Sequence, residues 1–350
     1  MVSAIEVAGR LIGPGHACFI IAEIGVNHDG DLERARLLID AAARAGADAV
    51  KFQTFSADRL VVSDAPKAGY QLRGTPEDET QLEMLRRLEL PLQAYRQLIE
   101  HGCERKVLFM STPFDEGSAD FLDDLGVPVF KIPSGEITNL LFLAHVARKG
   151  KPMIISTGMS TLGEVETAVR TVEDAGNHQL VLLHCVSNYP ALEADVNLRA
   201  MSTMARAFKV PVGYSDHTLG IAVALAAVAM GACVIEKHLT LDRSLPGPDH
   251  RASLEPQEFA ALIDGIRRVE SALGDGVKRP APTEAAIVSV VRKSLVAATD
   301  IPAGSRVTAE MLAVKRPGTG LPPSMRGLVV GRCAKQDIRA GMVLTMDMIA

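Results

Sequence analysis

The stretches Gly213-Tyr-Ser-Asp-His-Thr218 and Val234-Ile-Glu-Lys-His-Leu-Thr240 each close an apolar run and read as the ends of two neighbouring strands. A histidine at each strand end, with Ser, Asp, Glu and Lys alongside, is how a parallel-strand fold presents a metal and an anionic substrate on one rim.

Short apolar runs of this kind recur along the first 240 residues: 18–24, 49–52, 107–110, 127–132, 152–156, 180–184, 210–214 and 233–238. Segments with helical spacing separate them, such as 31–45 with Asp31 as N-cap, and 161–175 with Thr161 and Glu164 in capping-box spacing. Eight alternating units predict a (β/α)8 TIM barrel. An open doubly wound sheet alternates in the same way, but eight units at this length match the barrel better. The Ala-rich stretch 221–232 reads as a buried helix.

After a helix over 256–273, the Gly- and Pro-rich segment 274–283 marks a linker. Beyond it Asp300-Ile-Pro-Ala-Gly is echoed by Asp337-Ile-Arg-Ala-Gly, each unit reading as turn, short strand and helical turn. The expected organisation is a barrel over 1–274, a linker over 275–287 and a small β-rich domain over 288–350. One long polar insertion interrupts the barrel between Thr54 and Pro91, including Lys67-Ala-Gly-Tyr-Gln71 and Glu77-Asp-Glu-Thr80. Segments of that length inside a domain tend to be lids or recognition loops.

Composition narrows the function. Net charge is −5, which supplies no basic field for nucleic acid, and aromatics are only 4% with no Trp, so no stacking platform for sugars or bases is expected. The first residues lack a leader pattern and no run is long enough to span a membrane. Five cysteines without Cys-x-x-Cys spacing argue against disulfides or a thiolate metal site and suggest a reducing cytoplasm.

Polar residues end nearly every strand, where a barrel builds its site. Lys51 and Lys131, with hydroxyls from Thr112, Ser134, Ser156, Ser187 and Ser215, are the parts of a phosphate and carboxylate clamp. Any one such lysine is as readily a rim salt bridge; the convergence argues for function. His217 and His238 are candidates to share one divalent ion, a weak and open site suited to Mn²⁺ or Mg²⁺. The alternative is that they hydrogen-bond within the barrel top. Glu23 projects into the same site as a base, water-orienting group or metal neighbour, and Asn27-His28 follow it. Cys185 reads as a buried structural thiol.

In order, Ala22-Glu-Ile-Gly-Val-Asn-His28, Val50-Lys-Phe-Gln53, Ser111-Thr-Pro-Phe114, Lys131-Ile-Pro-Ser-Gly-Glu136, Ser156-Thr-Gly-Met159, Tyr214-Ser-Asp-His217, Glu236-Lys-His238 and Pro246-Gly-Pro-Asp249 closely resemble the bacterial sialic acid synthases and their nonulosonic acid relatives. The segment Val314-Lys-Arg-Pro-Gly318 is similar to that family's antifreeze-like (SAF) domain. The resemblance implies condensation of phosphoenolpyruvate with an open-chain N-acylated hexosamine, with C–O cleavage and phosphate release. It implies phosphoenolpyruvate contacts for Lys51, Thr112, Lys131, Ser134, Ser156, Ser187 and Ser215, and Mn²⁺ or Mg²⁺ on His217 and His238, polarising the aldehyde. It implies sugar contacts for Gln53, Glu136, Tyr189 and Asp249, with Glu23 positioning or deprotonating the attacking water.

The resemblance further implies a domain-swapped homodimer in which Arg316 reaches the sugar's N-acyl group. Ser187 stands where some members have asparagine. The first expectation is N-acetylneuraminate synthesis from N-acetylmannosamine. The insertion, with Tyr70, Gln71 and Thr80 as sugar readers, resembles the branch containing legionaminic acid synthases, so a legionaminate or pseudaminate synthase using a 2,4-diacetamido-2,4,6-trideoxyhexose is the alternative. A divalent-metal pyruvate aldolase and a non-catalytic sugar-binding regulator stand behind these.

Overall fold

The computed structural model describes residues 2–76 and 78–350, so Met1 and, within the polar insertion, Glu77 lie outside the described residues. Two compact units divide the chain, Met1–Gly274 and Asp275–Ala350.

In the first unit eight parallel strands follow one another in space as in sequence: β3 (Phe19–Gly25), β4 (Ala49–Thr54), β5 (Leu108–Pro113), β6 (Phe130–Ile132), β7 (Met153–Ser156), β8 (Leu180–Cys185), β9 (Val212–Asp216) and β10 (Val234–His238). Pairing of β10 with β3 closes the ring, with Val234 opposite Phe19 and His238 opposite Glu23. The barrel expected from the eight apolar runs is the fold, and the open sheet is excluded. β5 and β6 stand side by side without a ladder between them. β6 is three residues long between Pro128 and Pro133, each of which lacks an amide donor.

Strand alternation sorts side chains into two cores. Ile20, Ala22, Val50, Phe52, Ile155, Leu182 and Ile235 face the surrounding helices. Phe19, Ile21, Ala49, Met110, Val129, Ile154, Val181 and Val234 fill the barrel interior. A preceding hairpin that the sequence reading did not anticipate, β1 (Ile5–Val7) and β2 (Arg10–Ile12), adds Ile5, Val7 and Ile12 to that inner core. Its two-residue turn has positive φ at both Ala8 and Gly9, the conformation that matches strand twist.

The helices start where the capping signals place them. Asp31 accepts from the Glu33 and Arg34 amides to begin Leu32–Ala45, and Thr161 forms a capping box with Glu164 to begin Leu162–Asp174. The Ala-rich helix Ala222–Ala229 is buried on one face only, through Ala224, Ala227 and Val228, with Ala222, Ala226 and Ala229 exposed.

The second unit has a helix, Ala285–Val291, whose first turn falls within the expected linker, and an antiparallel pair, β11 (Ser294–Ala297) and β12 (Leu312–Lys315). Its two repeats meet as equals. Ile301 bridges Ile338, Asp300 Oδ1 accepts the Ala340 amide at 2.7 Å, and Asp337 Oδ1 accepts the Ala303 amide at 2.8 Å.

Candidate active site

Continuing the inward alternation above the apolar layers gives Glu23, Lys51, Thr112, Lys131, Ser156, Ser215, Glu236 and His238 at the carboxyl ends of the strands. They open into a cavity of about 450 Å³, also lined by Gln53, Ser134, Ser187, Tyr189, His217 and Asp249.

Two ammonium groups organise the floor. Lys51 Nζ donates to Thr112 Oγ1 at 2.9 Å and lies 2.7 Å from Glu23 Oε2. Lys131 Nζ donates to Ser156 Oγ at 2.6 Å. Between them sits Glu236, 3.8 Å from Lys51 and 3.6 Å from Lys131, accepting a hydrogen bond from Ser215 Oγ at 2.8 Å. All four charged groups are buried.

Their ionisation follows from this spacing. Burial pushes Lys51 down, but the carboxylates of Glu23 and Glu236 outweigh it and raise its pKa. For Lys131 burial wins over Glu236 and lowers the pKa. Burial raises Glu236, yet Lys131 and Lys51 together hold it below the ordinary value, so it is a carboxylate. Glu23 goes the other way: burial, aided by the Glu236 charge, lifts it despite Lys51. Glu23 is therefore a stronger base than an exposed carboxylate.

The two histidine rings lie 5.6 Å apart between centroids, with the Tyr189 ring 4.1 Å from His217. His217 Nδ1 donates to the Val186 carbonyl at 2.7 Å, which leaves Nε2 as the unprotonated nitrogen. Burial lowers the His217 pKa to about 4 and drives His238 down further, with the His217 and Lys51 charges adding to it. His238 Nδ1 is buried without a hydrogen-bond partner, 3.9 Å from Asp249 Oδ2. Burial and the Glu23 charge lift the Asp249 carboxyl to about 7. Two neutral imidazoles, one with an orphaned nitrogen, are the donor chemistry that suits a divalent cation. Among the described residues, no cluster of three His, Cys, Asp or Glu side chains forms a ready-made cage.

On the side of β6 to β8 the wall is small and polar. A Cβ on Gly158 would come within 2.3 Å of Ser187 Oγ and 2.8 Å of Ser134 Oγ, so only glycine leaves this recess open. Cys185 lines the recess as a buried thiol, 3.1 Å from Ser134 Oγ.

Several expected residues of the first unit are placed elsewhere. Thr80 is an exposed helix cap that forms a capping box with Glu83, and it does not line the cavity. Glu136 lies in a short turn, accepts from Asn139 Nδ2 at 2.7 Å, and is also absent from the lining. In both cases a nearby backbone or amide group captures the side chain. Arg316 belongs to the second unit, where its Nε donates to the Val291 carbonyl at 3.0 Å. Asn27 ties Leu239 O and Ser253 Oγ together, and His28 stacks on Phe52, so both serve the scaffold. Lys237 points out of the barrel and is fully buried against Asp216 at 2.7 Å.

The sequence matches the NeuB family over residues 38–278 and the SAF domain over residues 292–350. The chain belongs to the NeuB family. It is 51% identical to the N,N'-diacetyllegionaminic acid synthase of Legionella pneumophila over 96% of each chain. It is 49% identical to the enzyme of the same name from Campylobacter jejuni, over 91% of this chain and 96% of that one. Among solved structures, N-acetylneuraminic acid (sialic acid) synthetase from Leptospira borgpetersenii, in complex with citrate, superimposes with a TM-score of 0.74 at 36% identity, covering 82% of this chain and 96% of that one. The expectation of a phosphoenolpyruvate-condensing synthase of the nonulosonic acid type holds at the level of the family.

The NeuB site contains one central group to which the sequence motifs alone give no role, Glu236. The signal was available, because Glu236 and His238 are two apart on one strand and must share its inner face, with Lys237 on the outer. Among the described residues, no helix is long and apolar enough to cross a membrane.

Proposed function

We propose that this chain condenses phosphoenolpyruvate with a 2,4-diacetamido-2,4,6-trideoxyhexose, forming a legionaminate-type nonulosonic acid and releasing phosphate by C–O cleavage. The higher identity to the two N,N'-diacetyllegionaminic acid synthases supports this sugar over N-acetylmannosamine, which the sequence reading had put first. The observation that carries the chemistry is the pair of buried ammonium groups, Lys51 on β4 and Lys131 on β6, converging on Glu236 at 3.8 and 3.6 Å.

In this reading the two lysines, with Thr112, Ser134, Ser156, Ser187 and Ser215, hold the carboxylate and phosphate of phosphoenolpyruvate. Charges already stripped of water interact strongly with such a ligand and need no reorganisation. C3 of the enol phosphate forms the new bond to the sugar C1, and the C1 oxygen takes up a proton. Water then adds at C2, where Glu23, lifted by burial, accepts its proton. The C2–O bond to phosphate then breaks, phosphate leaves with the bridging oxygen, and the added hydroxyl becomes the C2 ketone, its proton passing to the departing phosphate. His217 and His238 would hold Mn²⁺ or Mg²⁺, which when bound supplies Lewis-acid polarisation of the aldehyde oxygen. Gln53, Tyr70, Gln71, Tyr189 and Asp249 line the sugar's side of the cavity. The domain-swapped homodimer, with Arg316 reading an N-acyl group, is part of the same proposal, and five free thiols support a cytoplasmic setting.

The test is phosphate release from phosphoenolpyruvate and Mn²⁺ with three sugars in parallel: N-acetylmannosamine, 2,4-diacetamido-2,4,6-trideoxymannose and the corresponding altrose. Preference for the second is expected. Preference for the first restores the sialic acid reading, for the third the pseudaminate reading, and product without phosphate release points to an aldolase.

A further inference from the structure

The insertion after β4 contributes a wall unlike the rest of the cavity. Leu60, Val61, Met84, Leu85 and Leu88 line it together with Phe55, and Val26, Met84 and Leu88 form a small buried cluster of their own. In this apolar wall stand two side-chain amides that also line the cavity. Gln71 is buried; its Oε1 accepts from the Ala68 amide at 2.8 Å and faces Gln81 Nε2 at 3.4 Å. Gln71 also hydrogen-bonds the Tyr70 side chain, which leaves one hydrogen on Gln71 Nε2 and the lone pairs on Gln81 Oε1, a donor and an acceptor on one wall.

The segment carrying them is held in place. Lys67 Nζ ties Thr75 Oγ1 at 2.9 Å, the Pro76 carbonyl at 2.7 Å and Glu79 at 3.2 Å. The Gly247 amide, two residues before Asp249, donates to the Gly74 carbonyl at 2.9 Å, and a Cβ on Gly74 would come within 2.3 Å of Gly247 O. The insertion is thus stitched to the loop that supplies Asp249, and its two amides are fixed relative to the floor.

We infer that Gln71 and Gln81, in their apolar surround, form a subsite for the acetamido group that a diacetamido sugar has and N-acetylmannosamine lacks. An acetamido substituent presents one carbonyl acceptor, one N–H donor and one methyl group. The remaining Gln71 Nε2 hydrogen meets the carbonyl, Gln81 Oε1 takes the N–H, and the leucine and methionine side chains cover the methyl. A hydroxyl in the same position makes one of these hydrogen bonds and leaves the apolar wall uncovered. Amide recognition of this kind discriminates by what it leaves unpaired. The inference rests on the proposed function.

It is tested with two 6-deoxy sugars that differ only at C4, 2,4-diacetamido-2,4,6-trideoxymannose and 2-acetamido-2,6-dideoxymannose, against the wild type, Gln81→Leu and Gln71→Met. The variants should lose roughly 10- to 100-fold in kcat/KM for the diacetamido sugar, the cost of unpairing a buried amide, and several-fold less for the hydroxyl sugar, which makes only one of these hydrogen bonds. The KM for phosphoenolpyruvate should stay constant. Equal losses on both sugars would overturn the subsite while leaving the proposed function intact. A wild type that prefers N-acetylmannosamine to both would overturn the two together. Gln71 also anchors the loop through Ala68, so if Gln71→Met does not fold, the half-buried Gln81→Leu carries the test.

Discussion

Replacing Glu236 by glutamine keeps the shape and the hydrogen bond from Ser215 but removes the one carboxylate that faces both lysines. At separations of 3.8 and 3.6 Å, each pair is worth roughly 4–5 kcal/mol gross at an effective dielectric of about 20. Much of that is cancelled by the cost of burying the charges, and removing one partner of a buried pair typically destabilises by about 3–5 kcal/mol. The free protein should therefore melt roughly 6–10 °C lower at neutral pH, given the shift per kcal/mol expected for a domain this large. Phosphoenolpyruvate should reverse the effect, because its anionic groups meet Lys131, which now lacks a facing carboxylate, and Lys51, which keeps only Glu23. Its stabilising shift should be larger in Glu236→Gln than in the wild type. The pH dependence has a definite sign. Glu236 is held low in the folded state, so its contribution is complete above the ordinary glutamate pKa and is lost as pH falls through the folded value. The gap between variant and wild type should close in acid. Melting curves with and without phosphoenolpyruvate, from neutral to acidic pH, test this. An unchanged melting temperature, or a smaller phosphoenolpyruvate shift in the variant, would refute the central role given to this carboxylate.

Lys237→Met leaves Asp216 buried without its partner and should cost about 3–5 kcal/mol of stability, read by denaturant unfolding, with both substrate KM values unchanged because the pair lies outside the barrel. Asp249→Asn should flatten the fall in wild-type stability between about pH 4 and pH 7. An acid raised to about 7 in the folded state favours folding when protonated and loses that advantage, on the order of 4 kcal/mol, as pH rises from its unfolded value. Chelation should abolish turnover, with recovery on adding Mn²⁺, and His217→Ala should weaken Mn²⁺ binding measured by calorimetry while the far-ultraviolet dichroism is retained; full activity after exhaustive chelation would count against the metal.

The eight strands and the capped helices were legible because each obeys a local rule: an apolar run of strand length, or an N-cap three residues before a glutamate. The hairpin before the barrel was not, since two strands of three residues carry too little periodicity to register. Thr80 shows a rule applied unevenly. Thr80 and Glu83 have the spacing of Thr161 and Glu164, and both pairs form capping boxes, so the cap at Thr80 was as readable as the one at Thr161. Gln71 was legible as a sugar reader only through the family resemblance, and Gln81 and the apolar wall not at all, because an insertion of turns and short helices has no single period to follow, and it becomes a surface only when it packs over the cavity.

Most of the site itself reduces to counting by two along each strand. Phe19 and Ile21 lead to Glu23, Ala49 to Lys51, Val129 to Lys131, Ile154 to Ser156, and Val234 to Glu236 and then His238. Each strand spends its first inward positions on the apolar plug and its last on a polar group. Charge is thereby stacked directly on a layer that excludes water. That stacking accounts for the lowered Lys131, the lifted Glu23 and the neutral histidines through one cause, burial, with neighbouring charges setting where each ends. It also makes the floor sensitive from below. Enlarging Ala49 or Met110 would push on the lysine layer, whereas a change to Ile20 or Phe52, which face the helices, acts on stability. Ala49→Val should therefore raise the KM for phosphoenolpyruvate by a larger factor than Phe52→Leu does, and Phe52→Leu should lower the melting temperature further than Ala49→Val does.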